Sequence, residues 1–369
     1  MARVTLVRRD LTRPAHRRRP VSPPTARLSL DPREGVCHVA ESPRARHFIH
    51  AALIVDSDDA LRSRLIPALR RSLAAQERVF LVVGAHVERV VRDALGGLAD
   101  QLEWGERSTF YARLGFAYEG LRRYLAAQYA SGGTVHVIAE PDVAGDGEPD
   151  APVDRAAAHL SYESACEEAY AGYGCPVTCL WDSRTHSTAL IDSVRNLHNH
   201  ELTEHGCERN SGHVASADFL KARSEVPLAP APAAVDLDVA LTELDQLTSI
   251  RSTLRTWAGQ KSFDAEDVGD LVVAVTEVAT NGMVHGAPPV RLRGWRHRDM
   301  LIVQIDDAGG RRIPPTAGYQ RPGGPENVGG RGLWLARQLA DVVTTYSVGS
   351  GTSVRLHFPH PGADGAPAA

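Results

Sequence analysis

The chain has few cysteines, few aromatic residues and no long apolar run. Its 369 residues include five cysteines, and 6% of the residues are aromatic. An odd, sparse set of cysteines in a chain of this length excludes a disulfide framework, so reduced thiols are expected. No apolar run approaches the roughly 20 residues of a membrane-spanning helix, and the basic N-terminus lacks the apolar segment of a secretory signal. We therefore expect a cytoplasmic protein with no membrane partner.

The charge balance excludes a further class of partners. Hydrophobic residues make up 43% of the chain and charged residues 23%, as in ordinary soluble globular proteins. The formal net charge of −4 gives no overall attraction to nucleic acid. A length of 369 residues exceeds that of a single compact core and predicts about two domains.

The N-terminal half alternates between strands and helices. Residues 1–46 are rich in Arg and Pro and have no period, so they predict a disordered arm, as do the last residues, 360–369. From His50 onward the strands "HAALIV", "RVFLVVG", "VHVIAEP" and "PVTCLW" are separated by amphipathic helices. This alternation predicts an α/β domain with a parallel sheet covered on both faces. No GxxxxGK[ST] motif follows any of the strands, so a P-loop is absent.

Three polar residues stand at ends of these strands. Glu140 and Asp182 follow predicted strands, and His50 begins the first one. Ligands of open α/β sheets bind where the strands end, which makes these residues candidates for a site. Helix caps and turn residues are an equally good explanation of each.

Two groups of cysteine and histidine are weak candidates for a metal site. The sequence "CPVTCL" indicates a buried strand, since four-residue spacing without a second pair is poor zinc geometry. A polar, solvated segment is the preferred interpretation of the His-rich tract after residue 197, with a metal site as the alternative. The residues concerned are Cys175 and Cys179 in the first group and His198, His200, His205, Cys207 and His213 in the second.

The first half of the chain resembles a known sensory domain. The succession "HAALIVDSDDAL", "VIAEP", "LSYESA" and "CLWDSRTHSTALIDSVRNLH" is similar to the MEDS domain, a RecA-like fold without the P-loop. The resemblance implies input of a small-molecule or protein signal. We place this domain at residues 47–207, followed by a linker over 208–236 that includes the Pro/Ala stretch "EVPLAPAPAAVD".

The second half, residues 237–359, has a different order of elements. Two helices come first, "LTELDQLTSIRSTLRTWAGQ" and "DAEDVGDLVVAVTEVATNGMVHG", and the strands "VRLRGWR" and "MLIVQIDD" follow. A glycine-rich turn then opens the helix "GLWLARQLAD", after which come the strands "VVTTYSV" and "TSVRLHF". Because strands and helices do not alternate, the order predicts an α+β layer arrangement and excludes a Rossmann unit.

The second of these helices carries a polar line. Glu277, Asn281 and His285 are four residues apart and so lie on one face of the helix. A carboxylate in apolar surroundings costs free energy unless a metal or a hydrogen-bond network compensates it, which favours a functional site. Exposure of the same face to solvent at the rim of the helix is the alternative.

Three further features favour a nucleotide pocket. Asp306 ends the strand "LIVQID" and is followed by Asp307, Ala308, Gly309 and Gly310. The turn "GGRGL" over 329–333 offers backbone N–H groups at a helix N-terminus, which suits phosphate. The segment "GSGTSVRL" places Gly351 and Thr352 at the start of the last strand.

Together these features resemble the ExxxN, DxGxG, GxGxGL and GT boxes of the GHKL ATPases, which have the Bergerat ATP-binding fold. More narrowly, "EVATNGMVHG", "GGRGLWLARQLAD" and "GTSVRLHF" are similar to anti-sigma factor serine/threonine kinases. The resemblance covers about residues 236–358. One departure is that Ala308 takes the first glycine of DxGxG. The Pro/Gly-rich segment over 311–327 predicts a mobile lid.

The resemblance implies ATP and Mg²⁺ as cofactors and a role for each matching residue. Glu277 would be the general base, taking the proton of a substrate hydroxyl, and Asn281 would bind Mg²⁺. Asp306 would bond the adenine amino group, and Gly310 would line the adenine pocket. The other residues implied to contact the nucleotide are Gly309, Gly330, Arg331, Gly332, Leu333 and Thr352.

The function implied is that of an anti-sigma regulatory factor. Such a protein sequesters a sigma factor and phosphorylates an anti-anti-sigma partner of the STAS type, here under control of the N-terminal domain, and the family is homodimeric. One alternative is a nucleotide-gated module that binds a sigma factor without phosphate transfer. A sensor histidine kinase is a second alternative, because "HNHELTEH" resembles the phosphoacceptor box at His200, although the following Pro and a long helical hairpin are missing.

Overall fold

The computed structural model describes residues 48–143, 155–298, 300–309, 312–322, 330–348 and 351–359. The predicted arm over 1–46 and tail over 360–369 lie outside these residues. None of the helices within the described ranges has the length and apolar character needed to cross a membrane.

The N-terminal domain is built on a seven-stranded sheet. Its strands are β1 (His50–Val55), β2 (Arg78–Val83), β3 (Glu103–Glu106), β4 (Val135–Ala139), β5 (Val177–Asp182), β6 (His200–Thr203) and β7 (Gly206–Arg209). Its α-helices are α1 (Asp58–Ala74), α2 (Ala85–Leu95), α3 (Arg107–Phe110), α4 (Leu114–Ala130), α5 (Arg155–Tyr170), α6 (Thr188–Leu197) and α7 (Ser216–Ser224).

The strand order is β3-β2-β4-β5-β1-β6-β7, and every pairing is parallel except that of β6 with β7. All six residues of β1 are buried, as expected of a central parallel strand covered on both faces. Helix α1 begins where the Ser57 side chain accepts a hydrogen bond from the Ala60 N–H and so caps the first turn. The predicted α/β class with a parallel sheet is confirmed.

The predicted linker over 208–236 is only partly irregular. Helix α7 lies inside it and packs against α5, with Leu220 buried between them. The N-terminal domain therefore extends at least to residue 224, beyond the predicted boundary at residue 207. Residues 225–236, which contain the Pro/Ala stretch, have no helix or strand.

The C-terminal domain is an antiparallel sheet with helices on one face. Its strands are β8 (Leu237–Leu241), β9 (Val290–His297), β10 (Met300–Asp307), β11 (Val342–Val348) and β12 (Gly351–Pro359). Its helices are α8 (Gln246–Gln260), α9 (Ala265–His285) and α10 (Arg331–Leu339). The strand order in the sheet is β11-β12-β10-β9-β8. One apolar core joins the three helices to the sheet. The predicted α+β arrangement is confirmed, with β8 as an additional edge strand.

Helices α4 and α5 of the N-terminal domain pack directly on the C-terminal domain. A β-carbon added at Gly115 would lie 1.9 Å from the backbone oxygen of Arg337, so α4 approaches α10 as closely as only glycine permits. The Tyr162 hydroxyl of α5 donates a hydrogen bond to the same oxygen at 3.2 Å. Arg113 forms an ion pair with Asp267 of α9 at 2.9 Å. The N-terminal domain therefore contacts the two helices that carry the predicted nucleotide residues.

Candidate nucleotide-binding site

Helix α9 supplies the carboxylate and the amide of the candidate site. It starts at Asp264, whose side chain accepts hydrogen bonds from two backbone N–H groups of the first turn, and it ends at Gly286. Its apolar face is buried against the sheet, whereas Glu277 and Asn281 are only half-buried and His285 is exposed. The three residues therefore lie along the solvent-facing side of the helix. Glu277 and Asn281 are partly covered by neighbouring parts of the protein, whereas His285 is not.

The first turn of α10 lies against these two side chains. Gly330 precedes the helix in the left-handed conformation, with φ of 87°. A β-carbon added at Gly332 would lie 2.8 Å from Glu277 Oε2 and 3.0 Å from Asn281 Nδ2. The lack of a side chain at Gly332 lets the helix N-terminus, with its unsatisfied N–H groups, approach the carboxylate and the amide. The structure therefore brings together the first and third predicted boxes.

Asp306 is not part of this arrangement. Its carboxylate accepts hydrogen bonds from Arg293 Nη2 at 2.7 Å, Gln304 Nε2 at 2.7 Å and Ser353 Oγ at 2.6 Å. Side chains alternate along a strand, and the core that contacts the helices contains Leu301, Val303 and Ile305 of β10. Asp306 consequently projects from the opposite face of the sheet, so its predicted bond to the adenine amino group stays a prediction that this geometry does not favour.

The neighbouring Asp307 takes the position on the helix side. A β-carbon added at Gly286 would lie 2.6 Å from Asp307 Cγ, which places this carboxyl group against the end of α9. Burial raises the pKa of Asp307, and the hydrogen bond donated by the Gly309 N–H at 3.2 Å acts in the opposite direction. Asp307 is paired across the sheet with Thr352, which is buried on the same face. Every second residue of β10 from Leu301 onward faces the helices. This alternation identifies Asp307 from the sequence as the aspartate on the helix side.

The remaining predicted residues fall into three groups. Arg331 is exposed at the start of α10, where its charge is accessible. The Leu333 side chain belongs to the apolar core, so only its backbone is available to a ligand. Gly310 lies outside the described residues. Residue 311 and residues 323–327 of the predicted lid lie outside them as well.

The described residues fit ATP with Mg²⁺. The amide oxygen of Asn281 is a hard ligand of the kind that Mg²⁺ binds, and the N-terminus of α10 beside Gly332 suits a phosphate chain. Asp307 and Thr352 are available for the base of the nucleotide. Glu277 is placed within the same group of side chains as a potential proton acceptor.

Two substitutions test whether Asp307, and not Asp306, contacts the nucleotide. Asp307→Ala is expected to weaken ATP binding about tenfold to a hundredfold, the loss of one hydrogen bond to a charged acceptor. Asp306→Ala is expected to leave the affinity unchanged and to lower the free energy of unfolding by about 1–3 kcal/mol, because Arg293 and Gln304 lose their acceptor. Isothermal titration with ATP and chemical denaturation of both variants measure the two effects, and a loss of affinity in Asp306→Ala alone would reverse the assignment.

The polar candidates of the N-terminal domain have structural partners. Glu140 accepts a hydrogen bond from the Gly84 N–H at 2.6 Å and pairs with Arg107 at 3.3 Å. Asp182 pairs with Arg184 at 2.6 Å, and this contact lowers the pKa of the Asp182 carboxyl. Both residues therefore stabilise the ends of strands. This structural role accounts for them without a binding site.

A cavity of about 1020 Å³ lies between the two domains. The C-terminal domain contributes Glu277, Arg331 and Trp334 to its wall, and the N-terminal domain contributes side chains of α4 and α5. The latter include Tyr118, Glu119, Arg122, Tyr162, Cys166 and Glu168. The candidate base Glu277 thus faces a space that the N-terminal domain borders.

A sheet covered by three helices, with a carboxylate and an amide beside a glycine-opened helix N-terminus, is the arrangement expected of a nucleotide-binding domain. Comparison with known families agrees with this class. Residues 240–358 match the family described as histidine kinase-like ATPase domain, and residues 49–199 match the MEDS family, described as the methanogen/methylotroph, DcmR sensory domain. The chain therefore combines a MEDS domain with a GHKL-type, histidine kinase-like ATPase domain, and the predicted recognition of both is confirmed.

No curated protein matches the chain. Among solved structures, one match is a crystal structure of the RsbU and RsbW domains of Rv1364c from Mycobacterium tuberculosis. It is 19% identical, with a TM-score of 0.26, and the match covers 33% of the present chain and 31% of that chain. The present chain thus spans about a third of the length of that structure.

Proposed function

We propose that the protein is an ATP-dependent protein serine/threonine kinase that acts as an anti-sigma regulatory factor. In this proposal it sequesters a sigma factor and phosphorylates a STAS-type anti-anti-sigma partner, which then cannot release the sigma factor. The observation that carries the proposal is the meeting of Glu277 and Asn281 with the first turn of α10 at Gly332. The match to a histidine kinase-like ATPase domain supports it independently.

The chemistry needs little from the protein beyond positioning, charge stabilisation and one proton acceptor. Mg²⁺ bound with ATP offsets the charge of the phosphates. Asn281 would hold the ion through its amide oxygen, and the N–H groups at the start of α10 would bind the phosphate oxygens. Glu277 would accept the proton of the serine or threonine hydroxyl as its oxygen attacks the γ-phosphorus of ATP, while the bond between that phosphorus and the bridging oxygen breaks and ADP leaves. The half-buried position of Glu277 beside the cavity leaves room for a side chain of a partner protein.

A nucleotide-gated binding module without transfer is the second candidate. With Asp307 as the carboxylate of the second box, Gly309 takes its first glycine and Arg311 stands where the pattern has the second. This departure favours an altered nucleotide site. Such a module would bind ATP and a sigma factor but would transfer no phosphate.

One assay separates the two candidates. The full-length protein is incubated with Mg²⁺, γ-labelled ATP and STAS-domain proteins of the same organism, and phosphoserine or phosphothreonine is mapped on them. The kinase proposal expects label on one partner and loss of that partner's ability to displace the sigma factor. ATP and sigma-factor binding without any transferred label would favour the binding module.

The histidine kinase alternative has little support from the surroundings of His200. This residue lies in the edge hairpin β6–β7, and its Nδ1 is 2.6 Å from Asn199 Oδ1. A phosphoacceptor histidine needs an accessible nitrogen on a helix that reaches the ATPase domain.

Homodimerisation, which the resemblance to the kinase family implies, remains a prediction.

We also propose that the N-terminal domain restrains phosphate transfer through its contact with α10. Gly115→Ala adds a β-carbon 1.9 Å from the Arg337 oxygen and must displace α4 from α10. The rate of partner phosphorylation is expected to rise about tenfold, within the usual range of coupling between domains. Gly120→Ala is the matched control, because its β-carbon would meet nothing within 4 Å on the same helix. Equal rates in both variants would show that the contact does not regulate activity.

A further inference from the structure

Three potential metal ligands from distant parts of the sequence meet inside the N-terminal domain. His50 begins β1, Cys179 lies in β5, and His198 directly follows α6. One ligand atom from each lies within 4.8 Å of the others, and all three side chains are buried, with exposures of 1%, 4% and 0%. Strands β1 and β5 are neighbours in the sheet, with Ala52 opposite Cys179, which brings the ligands to one side of it.

The separation of His50 and Cys179 suits a tetrahedral ion. His50 Nε2 and Cys179 Sγ are 3.5 Å apart. Tetrahedral zinc, with its usual bond lengths to nitrogen and sulfur, separates neighbouring ligand atoms by about 3.3–3.6 Å. His198 Nδ1 is 2.7 Å from the Val194 backbone oxygen. Because a carbonyl oxygen only accepts, this contact fixes the proton on Nδ1 and leaves the Nε2 lone pair available.

Glu163 of α5 lies beside His198 and is a candidate for a fourth ligand. Its side chain is 2% exposed, and Oε2 lies 3.9 Å from His198 Nε2. The other oxygen, Oε1, is 3.1 Å from His159 Nε2, which orients the carboxylate. Together the four residues form a Cys-His₂-Glu set, and each of its ligand types is common in zinc sites.

Three atoms of this set lack hydrogen-bond partners among the described residues. They are His50 Nδ1, His198 Nε2 and Glu163 Oε2, all of them buried. Leaving a buried polar atom unpaired costs free energy, so such atoms need an explanation. His136 shows the contrast, since its two ring nitrogens lie 3.0 Å from Ser72 Oγ and 2.9 Å from Thr178 Oγ1. Both ring nitrogens of His136 therefore have polar partners, whereas among the described residues only Nδ1 of His198 has one.

We propose that His50, Glu163, Cys179 and His198 form a binding site for one Zn²⁺ ion in the N-terminal domain. On binding, the Cys179 thiol loses its proton to solvent, and the thiolate and the Glu163 carboxylate balance the two charges of the ion. Both histidines bind through neutral rings.

The charge state of the residues agrees with this chemistry. Burial lowers the pKa of both His50 and His198, so neither ring needs to lose a proton before it binds. Burial also raises the pKa of the Cys179 thiol.

The position of the site connects it to the contact between the domains. Glu163 is adjacent in α5 to Tyr162, whose hydroxyl bonds the Arg337 oxygen of α10. An ion that fixes Glu163 therefore fixes the helix that contacts the ATPase domain. The site stands independently of kinase activity, since none of its ligands belongs to the nucleotide site.

The test uses the full-length protein, freed of any affinity tag. Zinc content is measured by mass spectrometry after dialysis, and affinity is measured by competition with a chromogenic chelator. One equivalent of zinc is expected, with affinity at least about 100-fold lower in Cys179→Ser and His198→Gln, above the loss typical of outer-shell changes. Cys166→Ser, another buried cysteine of the same domain, and Cys207→Ser, the exposed one, are expected to bind zinc normally. Equal affinity in all four variants, or no zinc binding by the wild type, would overturn the proposal.

A spectroscopic measurement covers the case in which the ligand variants do not fold. Co²⁺ added to the metal-free wild-type protein is expected to give a thiolate-to-cobalt charge-transfer band and the intense visible bands of a tetrahedral ion. Cys166→Ser and Cys207→Ser should retain both signals. Their absence from the wild type, or the loss of the charge-transfer band in Cys207→Ser, would contradict the site at Cys179.

Discussion

Glu277→Gln is expected to abolish phosphate transfer and to leave ATP binding within about twofold of the wild type. The substitution keeps the shape of the side chain but removes the proton acceptor, and such a general base contributes about 10² to 10⁴ to a rate. Single-turnover transfer from labelled ATP to the STAS-type partner measures the rate, and isothermal titration measures binding.

Glu266→Gln is the control for this experiment. Glu266 lies in the first turn of the same helix, is exposed, and is three helical turns from the site. It is expected to behave as the wild type. A Glu277→Gln protein that transfers phosphate at the wild-type rate would remove the assigned base and, with it, the proposed mechanism.

Gly332→Ala is the second change with a large expected effect. The added β-carbon would lie 2.8 Å from Glu277 Oε2 and 3.0 Å from Asn281 Nδ2, the free ends of two flexible side chains. These side chains can move aside, so the fold is expected to survive while the site loses its geometry. A displacement of about 1 Å at reacting groups costs on the order of 10²-fold in rate. Thermal unfolding measures whether the fold survives. ATP affinity and the transfer rate measure how far the site has lost its geometry.

Gly269→Ala provides the matched comparison. Gly269 lies in α9, and a β-carbon there would meet nothing within 4 Å. Replacing a helical glycine by alanine at such a position is expected to stabilise the helix by about 0.5–1 kcal/mol without affecting transfer. Similar activity in Gly332→Ala and Gly269→Ala would mean that the close approach at Gly332 has no role in the site.

The regular elements could be predicted where the apolar period was strong. The buried strand β1 and the helix α9 with its cap at Gly286 follow the sequence closely. The short hairpin β6–β7 was missed because "HELT" and "GCER" have no apolar alternation, and the hairpin forms by pairing with β1. Helix α7 was missed because it buries little beyond Ser216 and Leu220 and is held by α5.

The candidate site was predictable in its helical parts and less so in the sheet. The spacing of Glu277 and Asn281 defines a helix face directly, since both residues belong to one element. Asp306 and Asp307 are adjacent, and motif matching alone does not say which of them faces the helices. The alternation of β10 decides it, because the side that contains Leu301, Val303 and Ile305 is the side of Asp307.

The proposed zinc ligands could not be predicted from spacing. Cys175 and Cys179 were correctly interpreted as a buried segment, but the ligand partner of Cys179 is His50, more than a hundred residues earlier in the chain. The polar, solvated interpretation of the His-rich tract holds for the exposed His205 and Cys207 and fails for His198, which is fully buried. Only the strand order, with β1 beside β5, brings these residues together.

The magnesium dependence of ATP binding tests the central claim most directly. Isothermal titration of the full-length wild type and of Asn281→Ala with ATP, with and without Mg²⁺, is the measurement. The wild type is expected to bind ATP more tightly with Mg²⁺, and Asn281→Ala is expected to lose that increase while it keeps the same fold. Equal, magnesium-independent binding by the two proteins would contradict the account, because the polar face of α9 would then be only structural.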